Sequence, residues 1–435
     1  MKAIGVIRTS RRERLSKDEF EELLRSAGYD VPTILKQNRG EHPRYNIGPG
    51  KLKELKALVE ELKPDKIIFA NRLTPSQAYN LWKGLNVEVM DRWQLVLEIF
   101  EKRAHSKEAK LQVELASLQY EVPLVKEAIR RIKLGDRAGF KGMGEYQTQQ
   151  YLKHIRYRMG KIRKELDRVR ADREVKRKRR EELGFILIAL AGYTNAGKST
   201  LLNTLSGEDV EARQQMFTTL DTTTRRFQLG GKRVLVTDTV GFIDNLPPFI
   251  VEAFHSTLEE IVKADILLLV LDASEAWSEI RRKLLASLRV LRELKTLDKP
   301  MVVALNKIDV VSSGHSFEVK RLTEELLEER VPGARVVWIS AKKKTLDELY
   351  RVLEEIIPGL PKYRPFRIRI SPGGNVPKVL SVLSEIGEVL KVSYGEETVV
   401  EALIQVGMIK ELTGLGVKIE HLNEASKAEE SENNE

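Results

Sequence analysis

The sequence predicts a multidomain α/β protein with four folded parts, and three patterns support this prediction. Short β-branched runs alternate with amphipathic segments in residues 1–90 and again in residues 183–360, which is typical of parallel sheets with crossover helices. Residues 91–182 have a helical period throughout, which predicts a long antiparallel hairpin. Residues 364–422 mix strand and helix patterns, as in a small α+β domain. The central part should have a mostly parallel sheet with helices on both faces.

The composition limits the classes of protein that the chain can represent. Its 435 residues are too many for a single core, and 42% hydrophobic residues are ample for globular burial. The lack of cysteine excludes disulfides and thiolate metal sites, and the six histidines are scattered singly. No apolar run approaches the roughly 20 residues of a membrane span, and the first residues contain no long apolar signal core. We expect a cytoplasmic protein without a membrane span, and a monomer.

The N-terminal part is predicted as a small parallel sheet with helices. Its predicted strands are Ala3–Ile7, Val31–Leu35, Lys66–Phe69 and Val87–Met90, and its predicted helices are Lys17–Ser26, Lys51–Leu62 and Thr74–Lys83. The run Tyr45-Asn46-Ile47-Gly48-Pro49-Gly50-Lys51 superficially resembles a phosphate loop, but it lacks the four-residue gap and the final Ser/Thr. Two interpretations remain open: a Gly/Pro turn that feeds a helix N-terminus, which is favoured, and a second nucleotide site.

Two helices with matching apolar faces are predicted for the hairpin. The first face contains Leu111, Leu115, Leu118 and Val122, and the second contains Leu152, Ile155, Met159, Ile162, Leu166 and Val169. The second set follows spacings of 3, 4, 3, 4 and 3 residues, which is a coiled-coil seam. Because a single loop joins them, the helices can pair only if they are antiparallel.

The hairpin also carries a concentrated positive charge. Residues 151–180 contain fourteen Lys/Arg against four Asp/Glu, an excess equal to the net charge of +10 of the whole chain. The glycine-rich tip, residues 135–147, has two interpretations: a solvated loop, or an RNA probe in which Arg137 and Lys141 meet phosphates while Phe140 and Tyr146 stack on bases. Because the glycine-rich tip and the basic stretch lie in the same hairpin, the RNA-binding interpretation is favoured. The acidic residues 424–435 are predicted to be disordered.

The central part begins with a predicted phosphate loop. The apolar run Phe185–Leu190 is followed by Gly192-Tyr193-Thr194-Asn195-Ala196-Gly197-Lys198-Ser199-Thr200. A strand, a glycine loop with this Gly-Lys-Ser spacing and a helix let backbone N–H groups wrap phosphates. Lys198 is expected to reach the β- and γ-phosphate oxygens and Ser199 to ligate Mg²⁺, the one metal predicted from the composition. All nine residues are candidate nucleotide contacts.

Further strands of this domain end in candidate site residues. These strands are predicted at Val234–Thr237, Ile266–Leu271, Met301–Leu305 and Val336–Ile339. Asp238 follows the first and is placed to hold Mg²⁺ through water. Gly241, which has no side chain, can offer its N–H to the γ-phosphate of the nucleotide.

Two later loops predict that the base is guanine. Asn306-Lys307-Ile308-Asp309 follows the strand Met301–Leu305. The carboxylate of Asp309 can accept hydrogen bonds from N1–H and the exocyclic amine of guanine, and adenine offers neither in that geometry. Ser340-Ala341-Lys342 follows the next strand, where a backbone N–H can contact the guanine oxygen.

The loop between the phosphate loop and Asp238, residues 217–226, is rich in threonine. One threonine should supply a hydroxyl to Mg²⁺ and an N–H to the γ-phosphate, so that the loop orders only with a triphosphate. Five threonines leave the choice open on spacing alone. Taken in order, these motifs predict a GTPase that cycles between GTP and GDP.

These motifs resemble the HflX family, which belongs to the Obg–HflX group of translation-factor-class P-loop GTPases. The similar runs are Tyr45–Lys51, Lys110-Leu111-Gln112-Val113-Glu114-Leu115-Ala116, Gly192–Thr200, Phe217-Thr218-Thr219-Leu220-Asp221 and Asp238-Thr239-Val240-Gly241-Phe242. The resemblance implies that Thr219 senses Mg²⁺. It also implies that the N-terminal domain and hairpin dock on the large ribosomal subunit and its rRNA, in ribosome dissociation or rescue. The tip differs from the family pattern because Gly142–Gln147 lacks a proline.

Phe242 predicts slow intrinsic hydrolysis. It follows Gly241, where signalling GTPases carry a glutamine that positions water, and a phenyl ring cannot do so. Arg225 and Arg226 could stabilise charge, although ordinary solvent-facing arginines are favoured. Asn195 could ligate K⁺ or merely suit the turn.

Two other function classes remain as alternatives. One is an ATP-dependent RNA-remodelling protein with a second nucleotide site near Gly48–Lys51, and the other is a protein-interaction scaffold.

Overall fold

The computed structural model describes residues 1–10, 15–134, 144–207, 223–230, 232–239, 241–242, 249–250 and 255–422. The chain forms two compact units. The first contains Met1–Arg170 and the described part of Leu246–Ser256, and the second contains the other described residues. Within the described ranges, no helix is both long enough and apolar enough to cross a membrane.

A four-stranded parallel sheet forms the core of the N-terminal part of the first unit. Its strands are β1 (Lys2–Thr9), β2 (Asp30–Asn38), β3 (Lys66–Phe69) and β4 (Glu88–Asp91), in the order β2-β1-β3-β4. Its helices are α1 (Lys17–Ser26), α2 (Pro49–Leu62) and α3 (Pro75–Leu85). The predicted elements and their parallel arrangement are confirmed. β-branched residues are frequent in the two central strands, β1 and β3, because their side chains pack well on a pleated surface that is buried on both faces.

The run from Tyr45 to Lys51 forms a turn into α2. Gly48 is the N-cap residue and Pro49 occupies the first turn, where its missing N–H costs nothing. The Gly48 N–H donates to the side-chain oxygen of Gln37 at 2.9 Å, and Lys51 pairs with Glu54 at 2.7 Å. These contacts match the interpretation as a Gly/Pro turn.

Three helices follow: α4 (Arg92–Arg103), α5 (Lys107–Lys133) and α6 (Glu145–Glu182). Pairs between α5 and α6 join Lys107 to Glu165 at 3.4 Å, Glu114 to Arg158 at 2.6 Å and Lys133 to Glu145 at 4.0 Å. As the residue number rises along α5 it falls along α6, so the hairpin is antiparallel as predicted. Apolar side chains of both predicted faces meet between them, namely Leu111, Leu115, Leu118, Met159, Ile162 and Leu166.

Several predicted features lie outside the described residues. They include most of the tip, with Arg137, Phe140 and Lys141, and the acidic residues 424–435. Tyr146 is described; it lies in α6 and its side chain is exposed.

A six-stranded sheet is the core of the central domain in the second unit. Its strands are β5 (Ile186–Gly192), β6 (Thr223–Leu229), β7 (Lys232–Asp238), β8 (Ile266–Asp272), β9 (Met301–Asn306) and β10 (Arg335–Trp338), in the order β10-β9-β8-β5-β7-β6. The accompanying helices are α7 (Lys198–Ser206), α8 (His255–Lys263), α9 (Trp277–Glu293), α10 (Ser313–Arg330) and α11 (Asp347–Ile356). All neighbouring strands are parallel except β6, which is antiparallel to β7.

Strand β6 corrects one prediction. Residues 217–226 were expected to be a loop, but Thr223–Arg226 belong to this edge strand. The physical reason is that buried and exposed residues alternate directly after them: Phe227 and Leu229 are buried, and Gln228 between them is exposed. This period of two is typical of a strand, and the strand extends back to Thr223.

The C-terminal part has an antiparallel sheet and one main helix. The strands are β11 (Tyr363–Ile370), β12 (Gly387–Ser393), β13 (Thr398–Gln405) and β14 (Lys418–His421), in the order β12-β13-β11-β14. Helix α12 (Val376–Ile386) packs Val379, Leu383 and Ile386 into the core of the sheet, and a short helix α13 (Lys410–Thr413) precedes β14. The predicted α+β pattern is confirmed.

Candidate nucleotide-binding site

The predicted phosphate loop joins the carboxyl end of β5 to the first residue of α7. Two of its glycines are required by their surroundings. Gly192 has φ 137°, and a Cβ there would lie 2.3 Å from the carbonyl oxygen of Val270. Gly197 has φ 93°, and a Cβ there would lie 2.3 Å from the side-chain nitrogen of Asn306. Any larger residue would push the loop away from the neighbouring strands β8 and β9.

Lys198 is folded back onto this loop. Its side chain is buried, and Nζ donates hydrogen bonds to the carbonyl oxygens of Gly192 at 3.0 Å and Tyr193 at 2.8 Å. Burial lowers the pKa of Lys198 to about 8, an effect that the nearby carboxylate of Asp238 only partly offsets. The amine is therefore held at the loop but is easier to deprotonate than an exposed lysine.

This low pKa predicts a pH-dependent affinity for nucleotide. In the nucleotide-free protein Lys198 is charged below about pH 8 and neutral above it, so binding of phosphates at higher pH must take up a proton. We expect GDP affinity to fall above this pH, by at most about tenfold per pH unit. Fluorescence titrations between about pH 7 and pH 9 would measure it.

Lys198→Arg is the matched control for that titration. A guanidinium stays charged across this range, so its affinity, whatever the absolute value, should not follow the same pH curve. A wild-type affinity that stays constant up to about pH 9 would contradict a role for the Lys198 charge in holding the phosphates.

Ser199 and Asp238 lie side by side. The Ser199 hydroxyl donates to Oδ2 of Asp238 at 2.8 Å, and Asp238 is fully buried at the end of β7. A hydroxyl and a carboxylate are the hard oxygen ligands that Mg²⁺ prefers. Among the described residues there is no group of three or more His, Cys, Asp or Glu that could hold a metal. A magnesium ion here would need oxygen atoms from phosphate and water, which is its usual coordination with nucleotides.

Asn306 connects the phosphate loop to the loop after β10. Its side-chain nitrogen donates to the carbonyl oxygen of Ala196 at 2.8 Å, and its side-chain oxygen accepts from the N–H of Ala341 at 3.0 Å. The residue is 2% exposed, so both bonds are shielded from water. A single side chain thus fixes the distance between two predicted nucleotide-contact segments.

Asp309 lies in a short 3₁₀-helix, Ile308–Val310, immediately after β9. Its Oδ1 accepts from the hydroxyl of Ser340 at 2.5 Å, which orients the carboxylate. Lys307 has φ 68° and its Nζ contacts Oδ2 of Asp272 at 2.6 Å. Both predicted guanine motifs therefore meet at one edge of the sheet, as expected for adjacent parallel strands.

Gly241 and Phe242 pair with the phosphate loop. The Phe242 N–H donates to the oxygen of Gly192 at 2.9 Å, and the Thr194 N–H donates to the oxygen of Phe242 at 3.2 Å. The Phe242 side chain is fully buried, so it does not point into solvent. A Cβ on Gly241 would lie 2.7 Å from Cγ2 of Thr194, so this position has no room for a side chain.

The remaining predicted residues have the following positions. Tyr193 and Ala196 are buried, Asn195 is exposed with φ 64°, Thr200 lies in α7, and Lys342 is exposed after the buried pair Ser340 and Ala341. Thr219 lies outside the described residues.

Arg225 and Arg226 lie on β6 rather than on a loop. The guanidinium of Arg226 is 4.8 Å from the centre of the Phe185 ring.

Two site residues were missed by sequence reasoning. Asp272, at the end of β8, holds Lys307 and also accepts from the N–H of Ser274 at 3.0 Å. The hydroxyl of Thr239 is buried and donates to the oxygen of Leu190 at 2.7 Å, which ties the chain after β7 to β5. A carboxylate directly after the predicted strand Ile266–Leu271 was the signal for Asp272. No local signal marked Thr239.

Family comparisons agree with this geometry. The chain matches the models described as GTP-binding GTPase N-terminal over residues 14–101, GTP-binding GTPase Middle Region over 103–180 and 50S ribosome-binding GTPase over 187–307. The GTPase HflX of Thermococcus kodakarensis is 71% identical over 436 residues, which cover 100% of this chain and 99% of that protein. The chain belongs to the HflX family of GTPases.

Other similar proteins extend this assignment. The GTPase HflX of Thermofilum pendens is 47% identical over 78% of this chain and 80% of its own length. The crystal structure of the complex of SsGBP with GDP is 30% identical, with a TM-score of 0.50, and the match covers 82% of this chain and 99% of that one. As an HflX GTPase, this chain binds guanine nucleotides and hydrolyses GTP to GDP and phosphate.

Proposed function

We propose that this HflX GTPase couples its nucleotide state to binding of the large ribosomal subunit, in ribosome dissociation, rescue or subunit homeostasis. The observation that carries the proposal is the exposed cationic face of α6, in a chain that also matches a 50S ribosome-binding GTPase model. The proposed partner would place the protein in the cytoplasm. The N-terminal domain and the hairpin are the proposed contact surface, and rRNA is the proposed target.

The proposed nucleotide contacts follow from the site geometry. Residues Gly192–Thr200 hold the phosphates, with Lys198 as the cation. Asp309 and the segment Ser340–Lys342 hold the guanine, and Asn306 keeps these segments in place. Lys307 is held by Asp272 beside the base contacts.

Ser199 is the proposed direct ligand of Mg²⁺, and Asp238 is proposed to hold the ion through a water molecule. The family resemblance adds Thr219 as a further Mg²⁺ ligand. The bound ion would neutralise charge on the phosphates during hydrolysis. K⁺ at Asn195 stays a prediction, as does the slow intrinsic hydrolysis inferred from Phe242.

The cationic face of α6 fits a polyanionic partner. Its exposed side chains include Lys153, Arg156, Lys161, Lys164 and Arg168. Lysine and arginine side chains that contact phosphates release condensed counterions, which gives strong and salt-dependent binding to RNA. An ordinary solvated helix would carry its cations interspersed with as many anions, which residues 151–180 do not.

One described contact supports coupling between the GTPase motifs and the hairpin. Phe249 follows Gly241 and Phe242 in the chain and belongs to the first unit. Its ring centre is 5.8 Å from that of Tyr120 on α5. Tyr120 is in turn hydrogen-bonded to the fully buried carboxylate of Asp91, which caps α4 by accepting from the N–H groups of Trp93 and Gln94. We propose Phe249 as the point at which nucleotide-dependent changes at Gly241 are passed to the helices of the first unit, since it follows Gly241 in the chain and contacts Tyr120.

Charge reversal on α6 tests the ribosome proposal. We expect Lys161→Glu with Lys164→Glu to weaken binding to purified large subunits by about tenfold or more. The slope of the logarithm of the binding constant against the logarithm of the salt concentration should fall in magnitude by about two, because about two phosphate contacts are lost. Sedimentation at two salt concentrations, with GDP, GTP and a non-hydrolysable GTP analogue, would measure both effects.

The matched control reverses two exposed lysines of the C-terminal part, Lys378→Glu with Lys391→Glu. This pair makes the same change in net charge outside the proposed contact surface. Equal losses in the two double variants would assign the effect to net charge alone. Equal binding to the large subunit with GDP, with GTP and with the non-hydrolysable analogue would contradict the proposed coupling between nucleotide state and ribosome binding.

A further inference from the structure

Thr194, in the phosphate loop, has a buried hydroxyl group without a hydrogen-bond partner among the described residues. The residue is 5% exposed. Because burial of a hydroxyl without a partner is costly, such a group in a binding loop indicates that a ligand completes its hydrogen bonding.

The surroundings of Thr194 show which part of a nucleotide it would meet. Its N–H is engaged with the oxygen of Phe242 at 3.2 Å. Its Cα and Cγ2 face Gly241, at 3.1 Å and 2.7 Å from the place where a Cβ of Gly241 would be. The side chain thus lies where the phosphate loop meets Gly241. In P-loop GTPases the phosphate loop cradles the β- and γ-phosphates, and Gly241 is the expected N–H donor to the γ-phosphate, so both segments should border the terminal phosphate.

We propose that the Thr194 hydroxyl donates a hydrogen bond to the terminal phosphate of GTP and so makes the site prefer GTP over GDP. The methyl group of the same side chain holds Gly241 beside that phosphate. GDP lacks the acceptor, so the hydroxyl contributes nothing to its affinity. This inference rests on the proposed nucleotide contacts and adds a side-chain donor to a loop otherwise expected to bind through backbone N–H groups and Lys198.

Two substitutions separate the hydroxyl from the shape of the side chain. Thr194→Val replaces the hydroxyl by a methyl group of similar size, and Thr194→Ser keeps the hydroxyl and removes the methyl. Binding of GDP and of a non-hydrolysable GTP analogue to the full chain would be measured for each, together with the melting temperature. We expect Thr194→Val to weaken binding of the analogue by about tenfold with GDP affinity unchanged, and Thr194→Ser to restore most of the loss.

The outcomes distinguish this inference from the proposed site. A valine variant with the wild-type preference for GTP, or one that loses GDP and analogue affinity equally, overturns the role of the hydroxyl. If Thr194→Val lowers the melting temperature so far that binding cannot be compared, Thr194→Ser and Thr194→Ala are compared instead, because these two variants differ only in the hydroxyl group. A Lys198→Ala variant that keeps the GDP affinity of the wild type would instead reject the proposed phosphate loop.

Discussion

Asp309→Asn should change the preferred base from guanine to xanthine. The Asp309 carboxylate is expected to accept from two donors of guanine, and an amide offers one donor and one acceptor in their place. One guanine donor would then face the amide N–H₂, and a buried pair of donors is strongly unfavourable. We expect GTP affinity to fall by about 10²- to 10⁴-fold. Xanthine has a carbonyl where guanine has its amine, so it should bind the variant better than the wild type.

Competition between guanine and xanthine nucleotides against a fluorescent analogue would measure this exchange. Asp298→Asn is a matched control, because Asp298 is an exposed aspartate of the same domain. The amide should also keep the contact with the Ser340 hydroxyl, since an amide oxygen accepts as well. A variant that loses all nucleotides alike would indicate that Asp309 supports the loop rather than reads the base.

Gly241→Ala should uncouple nucleotide binding from hydrolysis. The new Cβ would lie 2.7 Å from Cγ2 and 3.1 Å from the backbone nitrogen of Thr194. The side chain of Thr194 could rotate away from the new Cβ. The backbone atoms of Thr194 cannot move without changing the conformation of the phosphate loop. We therefore expect the segment at Gly241 to be displaced and hydrolysis to fall by about 10²-fold, as when one preorganised donor to developing charge is lost.

Single-turnover hydrolysis and GDP binding, measured together, would test that expectation. GDP does not need the Gly241 contact, so its affinity should stay within about threefold of wild type. Gly314→Ala, at a position where a Cβ meets nothing within 4 Å, is the control substitution. Unchanged hydrolysis in Gly241→Ala would show that this segment is already far from the phosphate during the reaction.

Local chemistry explains why some elements could be predicted to the residue. Helix α1 begins at Lys17 because Ser16 caps it, its hydroxyl accepting from the N–H of Glu19, and because Asp18 and Glu19 suit the positive end of the helix dipole. The phosphate loop and the guanine motifs were predictable for the same reason. Each is a short run whose spacing is set by the ligand that it would bind.

Other features depend on residues far apart in the chain. The burial of Phe242 results from its backbone pairing with Gly192, and the sequence around Phe242 alone does not indicate that pairing. Strand β6 forms because its backbone pairs with the edge of β7. Its polar first residues, Thr223–Arg226, give no sign of that pairing in the sequence and therefore resemble a loop. The link that Asn306 makes between Ala196 and Ala341 likewise requires three loops to converge.

The ladder of pairs along the hairpin has a mechanical consequence. Glu114 pairs with Arg158, and further along Glu121 accepts from the hydroxyl of Tyr151 at 3.0 Å, so α5 and α6 cannot slide past one another without breaking several contacts at once. Helix α5 has 27 residues, which corresponds to about 40 Å. A stiff rod of that length amplifies motion, since a tilt of about 5° at one end moves the other by about 3.5 Å. A small rearrangement near Tyr120 would thus become a displacement large enough to break or make contacts with the RNA that is proposed to bind the hairpin.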